Sequence, residues 1–145
     1  MYLSVVNDRV ERPETACSTP SRQPAFALLP PRPVAAQPIP CVLDEQVVTL
    51  GGAVEVAEYG ASASDELADN AVAALGDRAA VLLRHHGVLG VGRDLEEAVA
   101  VVDLVERVAK IRILSLQIGD ARELPPDVVA LEKQMYRMMK EFREK

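Results

Sequence analysis

Only two histidines occur in this 145-residue chain, and they are adjacent, as His85-His86 followed by Gly87. Imidazole is the commonest transition-metal ligand and the natural general base near neutral pH, so metal or proton chemistry in this sequence centres here. Ala79 to Leu83 reads as a buried strand, His85-His86-Gly87 as a turn and Val88 to Val91 as a second strand, a pattern that predicts a hairpin with the histidines at its tip. If strand geometry continues through Arg84, His85 and His86, successive side chains point to opposite faces and at most one of the pair is a primary ligand. A catalytic zinc normally takes three protein ligands, and the chain has no third histidine. Two readings stand side by side. One histidine is a ligand completed by residues from elsewhere, or it is a turn histidine hydrogen-bonded to backbone or water. Asp44 and Glu45 offer carboxylates, which beside a turn serve more often as caps or solvated residues.

The remaining candidates are weaker. Gly87 to Gly92 alternates glycine with aliphatic residues after the histidine turn, which is not the glycine pattern that opens a helix under a dinucleotide. Gly51-Gly52 is most simply a turn, and no nucleophile elbow is present. Met135, Met138 and Met139 suit an irregular helix interface. Tyr59 and Tyr136 are either proton donors or amphipathic rings at the edge of the core. Cys17 and Cys41 suggest neither a disulfide framework nor a cysteine zinc cluster and are expected to be free thiols.

These groups need elements to hold them. Eight of the ten prolines lie in residues 1–40, whereas all eight glycines follow residue 50. Proline removes a backbone donor and restrains its predecessor, so residues 1–37 are expected to form a poorly ordered or degenerate arm, and residues 38–145 the folded part. Val47 to Leu50 is expected to be a short strand, turning at Gly51-Gly52 into a second over Val54 to Ala57. Ser64 caps a helix that ends at Gly76. Asp94 and Glu97 form a capping box for the longest helix, whose apolar members run through Val99, Val102, Val105, Ala109, Ile113 and Leu116 to Gly119. Pro125-Pro126-Asp127 opens a last helix carrying Val128, Leu131, Met135, Met138 and Phe142. The formal charge of −6 speaks against unaided binding to nucleic acid or an anionic membrane. With no apolar run of about 20 residues and no signal-like start, the expected location is cytoplasmic.

Taken in order, Pro38 to Glu45, Leu50-Gly51-Gly52, Tyr59, Glu66-Leu67, Ala80 to Leu89 and Asp94 to Ala98 closely resemble the class II aldolase/adducin family, over residues 38 to about 118. The likeness is greatest to its L-fuculose-phosphate aldolase and ribulose-phosphate epimerase branch. The resemblance implies an α/β fold of three layers, α/β/α, around a largely antiparallel sheet, and a cyclic homotetramer with active sites between subunits. It implies zinc held by a His-x-His pair and by the histidine before the hairpin glycine, here His86. It implies a sugar phosphate as substrate, cleaved to dihydroxyacetone phosphate and an aldehyde, with a nearby Glu moving the proton. Tyr136 resembles the tyrosine that donates a proton from an adjoining subunit, at a slightly shifted position; where the other such tyrosine falls, near Asp44-Glu45, none stands.

The departures are specific. Counting back from Pro40, the His-x-His pair falls on Ser18 and Pro20. Met1-Tyr2-Leu3-Ser4 followed by Arg12-Pro13-Glu14 resembles an internal helix and turn of the family, so the chain is expected to begin inside a longer ancestor, without the phosphate-binding loops and the catalytic Glu. One imidazole forfeits chelation, and the chain alone is expected to bind zinc poorly and not to be a competent aldolase. Three readings follow: an impaired relative of zinc-dependent sugar-phosphate aldolases, a non-catalytic assembly protein like the adducin head, or an enzyme whose upstream reading frame was misread.

Overall fold

The computed structural model describes residues 25–29 and 37–144. Four strands form one sheet in the order β1-β4-β3-β2. β1 (Ala25–Leu29) pairs antiparallel with β4 (Gly87–Gly92), β4 pairs antiparallel with β3 (Ala80–Leu83), and β3 runs parallel to the short β2 (Val56–Ala57). Helices cover both faces, which gives the three layers and the largely antiparallel sheet that the resemblance implies.

Alternation along the strands assigns the layers. Ala80 and Val88 face the cluster built with Val101, Val102, Val105 and Val108 of α3 (Leu95–Ile118), while Val81, Leu83 and Leu89 face Ala71 of α2 (Asp65–Leu75). Each such fully buried aliphatic side chain contributes about 1.5–3 kcal/mol relative to exposure. Gly90 and Gly92 explain the glycine alternation in β4. A Cβ at Gly90 would lie 2.6 Å from Val102 Cγ2, and one at Gly92 would lie 2.5 Å from the Ala98 nitrogen. Side chains are absent there so that α3 can lie directly on the strand.

Helices α2 and α3 start as their sequences predict. Ser64 Oγ accepts from the Leu67 N–H at 3.1 Å, and Asp94 Oδ1 from the Glu97 N–H at 2.8 Å. The buried stripe of α3 differs from expectation: it runs through Ala98, Val101, Val102, Val105 and Val108, whereas Val99, Ile113 and Leu116 are exposed. One more expectation is corrected. Val47 to Leu50 is not a strand but lies in α1 (Asp44–Leu50), where Val47 and Leu50, one helical turn apart, are both buried. Gly51 at φ +85° ends that helix, its N–H returning to Val47 O at 3.0 Å. Within residues 1–37, the proline-free stretch between Pro24 and Pro30 forms the edge strand β1, a position where one side needs no partner. The rest of that arm up to residue 36 lies outside the described residues, as does Cys17.

The last helix, α4 (Pro126–Glu144), packs on α1. Polar contacts tie it to Asp77: Tyr136 Oη donates to Asp77 O at 2.9 Å, Lys140 Nζ to the same oxygen at 3.2 Å, and Arg137 Nε to Asp77 Oδ2 at 3.3 Å. Leu131, Met135, Met138 and Phe142 are exposed, so of the three methionines expected at a helix interface only Met139 is half-buried among the described residues. No helix among the described residues is long and apolar enough to cross a membrane.

Candidate functional site

The hairpin tip is where the sequence places its imidazoles, and the backbone there abandons strand geometry. The His86 N–H donates to Leu83 O at 2.9 Å, closing a turn, and His85 takes φ +64° with Gly87 at +122°. The premise of an extended run through the histidines therefore fails. The chain reverses between them, and both rings meet Tyr59 instead of pointing to opposite faces. His86 stacks on the phenol, with centroids 5.7 Å apart and planes 9° from parallel; His85 meets it edge-on at 6.1 Å and 69°. Such spacings are those of favourable aromatic pairs.

His86 is half-buried and its Nε2 lies 2.8 Å from Gly60 O. The segment that carries this carbonyl is held from three sides. Gly60 is buried under the start of α2, where a Cβ would come within 2.5 Å of the Leu67 nitrogen. Asn70 Nδ2, one turn further along α2, donates to Tyr59 O at 3.3 Å. Arg84 Nη1 pairs with Glu58 Oε2 at 3.0 Å. Hairpin, loop and helix thus fix one imidazole in one place. Gly60 is a partner of His86 that sequence reasoning missed; its only sequence signal is its place between Tyr59 and the helix cap Ser64.

Tyr136 sits elsewhere. Asp77, whose carbonyl accepts from it, precedes β3, and His86 follows β3, so a strand of about 13 Å separates the two. One copy of the chain does not bring Tyr136 and His86 together. The Tyr136 ring lies over Gly51, where a Cβ would sit 2.8 Å from its Cε1, so the positive φ and the missing side chain of Gly51 both serve this contact.

The other candidate donors are spoken for or poorly tuned. Glu45 pairs with Arg107. Burial pushes the Cys41 thiol up, against a partial lowering by Lys133, so it is not poised as a thiolate. Desolvation and then the neighbouring Asp44 push the Glu132 carboxyl up. Among the described residues no three His, Cys, Asp or Glu side chains gather around a common point. Ser18 and Pro20 lie outside the described residues, and neither carries an imidazole. A bond from one ring nitrogen to a backbone carbonyl is compatible with metal ligation by the other; what does not fit a zinc ion chelated by three histidines is that a single turn imidazole stands where three are needed.

Comparison with known proteins places this arrangement. The family model described as class II aldolase and adducin N-terminal domain matches residues 19–113. A 5-methylthioribulose-1-phosphate/5-deoxyribulose-1-phosphate aldolase from Rhodospirillum rubrum is 29% identical over 133 residues, covering 92% of this chain and 56% of the relative. An L-fuculose phosphate aldolase from Escherichia coli is 31% identical over 100 residues, covering 67% of this chain and 46% of that protein. Among solved structures, an L-fuculose 1-phosphate aldolase superposes with a TM-score of 0.64 at 34% identity, over 70% of this chain and 48% of the other. The chain thus spans about half the length of the curated relatives it matches. The family match covers well over half of the sequence, and the chain belongs to the class II aldolase and adducin N-terminal domain family.

Proposed function

We propose that this chain is a relative of the zinc-dependent sugar-phosphate aldolases that keeps the histidine hairpin of the fold but, by itself, does not perform retro-aldol cleavage. The single observation that carries the reading is the histidine count: His86 stands alone as a candidate metal ligand, with Ser18 and Pro20 where the resemblance asks for imidazoles. A lone imidazole lacks the chelate that makes zinc binding tight at neutral pH. The substrate class, a sugar phosphate split to dihydroxyacetone phosphate and an aldehyde, rests on the aldolases to which the chain is similar. Tyr136 is assigned the proton-donor role only across a subunit boundary, because within one chain it binds Asp77 O, at the opposite end of β3 from His86. A cytoplasmic homo-oligomer is the setting that this reading assumes.

Purified full chain tests this directly. Metal analysis after exhaustive dialysis should find far less than one zinc per chain, and L-fuculose 1-phosphate should not be cleaved. One tightly held zinc per chain, lost in His86→Ala, or measurable release of dihydroxyacetone phosphate, overturns the proposal.

A second reading, a non-catalytic assembly protein, is favoured by one feature. Leu131, Met135, Met138 and Phe142 follow one another at spacings of four, three and four residues along α4 and are 60%, 43%, 62% and 84% exposed. That is the seam of a helix that packs against another helix, on the side turned away from the body. Sedimentation tests whether this seam assembles the chain: a defined oligomer lost in Met138→Lys supports the second reading, and a monomer excludes it.

A further inference from the structure

We infer that Tyr59 and Gly60 lock His86 in a single tautomer, with the proton on Nε2 and the lone pair on Nδ1, and that Tyr59 is the positioning residue of this site. The inference deepens the reading of His86 given above and rests on it for the claim that this imidazole is the centre of the site.

A backbone carbonyl only accepts, so at 2.8 Å from Gly60 O the His86 Nε2 must carry hydrogen. A neutral imidazole carries one proton, which leaves Nδ1 as the nitrogen with a lone pair. The carbonyl cannot drift to relieve this choice, because Gly60 is wedged against the Leu67 backbone, and the preceding carbonyl of Tyr59 is held by Asn70. The second restraint is rotational. A ring stacked in an offset, near-parallel arrangement on Tyr59, with centroids 5.7 Å apart and planes 9° from parallel, loses that contact if it turns about the Cβ–Cγ bond towards the perpendicular. Tyr59 is itself 52% exposed, so what restrains the histidine is a stacking contact at the surface and not general burial. His85 supplies the internal comparison, since it touches the same phenol only edge-on and is exposed. Any electrophile that reaches the hairpin tip, a metal ion or a substrate proton, then meets Nδ1 of His86.

With only two imidazoles in the sequence, long-range proton–nitrogen correlation spectra of the 15N-labelled full chain resolve both rings, and His85→Gln assigns them. At pH 8, His86 should give the pattern of a pure Nε2–H tautomer, and His85 that of a mixture. Tyr59→Phe keeps the ring face and should leave the His86 pattern unchanged; Tyr59→Ala should convert it to a mixture without altering the circular dichroism spectrum. A wild-type His86 protonated on Nδ1, or averaged between tautomers, overturns the proposal whatever the variants do. A pure Nε2–H pattern that persists in Tyr59→Ala overturns the role of Tyr59. Added zinc chloride separates this proposal from the functional one: tight binding that shifts Nδ1 alone defeats the reading of a zinc-poor chain and upholds the tautomer, whereas binding that shifts Nε2 defeats the tautomer.

Discussion

The two ends of β3 are closed in opposite ways. After Leu83 the strand runs into an imidazole that bonds a buried glycine carbonyl and stacks on a tyrosine, and the supporting loop is wedged beneath α2. Before Ala80 the strand begins near Asp77, on which Tyr136, Arg137 and Lys140 of α4 converge through exposed hydrogen bonds and an ion pair. Both ends present a residue of the kind that does proton chemistry. At the His86 end one of two ring nitrogens bonds a backbone carbonyl; at the Asp77 end the phenol donates its one hydrogen to a backbone carbonyl. The difference teaches that the hairpin end is organised around its candidate group, whereas the α4 end uses its candidate group to hold a helix in place.

The strand that the two ends share sets the upper bound on any perturbation. Leu83→Ala removes a buried side chain from the cluster against α2 and should cost about 2–5 kcal/mol, read as a lower urea midpoint. If both ends were independent of the strand, no such loss would be seen. The next two changes address one end each. Gly60→Ala forces a methyl group against the Leu67 backbone and should cost about 1–3 kcal/mol, with loss of the Tyr59–His86 stacking signature in aromatic proton spectra. Gln46→Leu acts at the other end. Gln46 is fully buried, accepts from the Val42 N–H at 3.1 Å and donates to Pro40 O at 3.1 Å and Gly52 O at 3.3 Å, tying the chain entry to the turn beneath α4. Leaving these groups unpaired should cost about 1–3 kcal/mol. The comparison would break if Gln46→Leu disturbed the His86 resonances and Gly60→Ala did not.

Tyr136→Phe ranks below these. It deletes one solvent-exposed hydrogen bond while keeping the ring over Gly51, so a loss of about 0.5–1.5 kcal/mol in a thermal melt is expected. A larger loss would mean that the hydroxyl does more at this end than hold Asp77.

Much of this was legible in the residues. Ser64, Asp94 and Glu97 announce their helices because a cap is a local matter, one oxygen and one N–H three residues apart. The hairpin is legible because Ala79 to Leu83 and Val88 to Val91 flank a short polar turn. The helix α1 is not, since Val47, Val48 and Leu50 have strand-like side chains, and seven residues give too short a window for helical periodicity to outweigh them. At the site, His86 could be named from the resemblance, but its partner could not. Gly60 lies 26 residues away and contributes a backbone oxygen, a group that every residue has and no sequence pattern marks. For the same reason the pairing of Tyr136 with Asp77 O, 59 residues apart, left no trace in spacing.

The smallest effect is the most discriminating test of how α4 is held. Arg137 and Asp77 form an ion pair whose side chains are 64% and 56% exposed, and exposed pairs contribute about 0–1 kcal/mol because water and salt screen them. Arg137→Ala should therefore lower the urea midpoint only slightly at low salt. Raising the salt to about 1 M, where the screening length falls to about 3 Å, should erase the difference, because the wild type loses there what the variant lacks already. A difference that survives high salt would show the arginine stem to be packed on the body of the protein. In that case α4 is anchored by apolar contact like the helices on the sheet, and the two ends of β3 are more alike than their polar groups suggest.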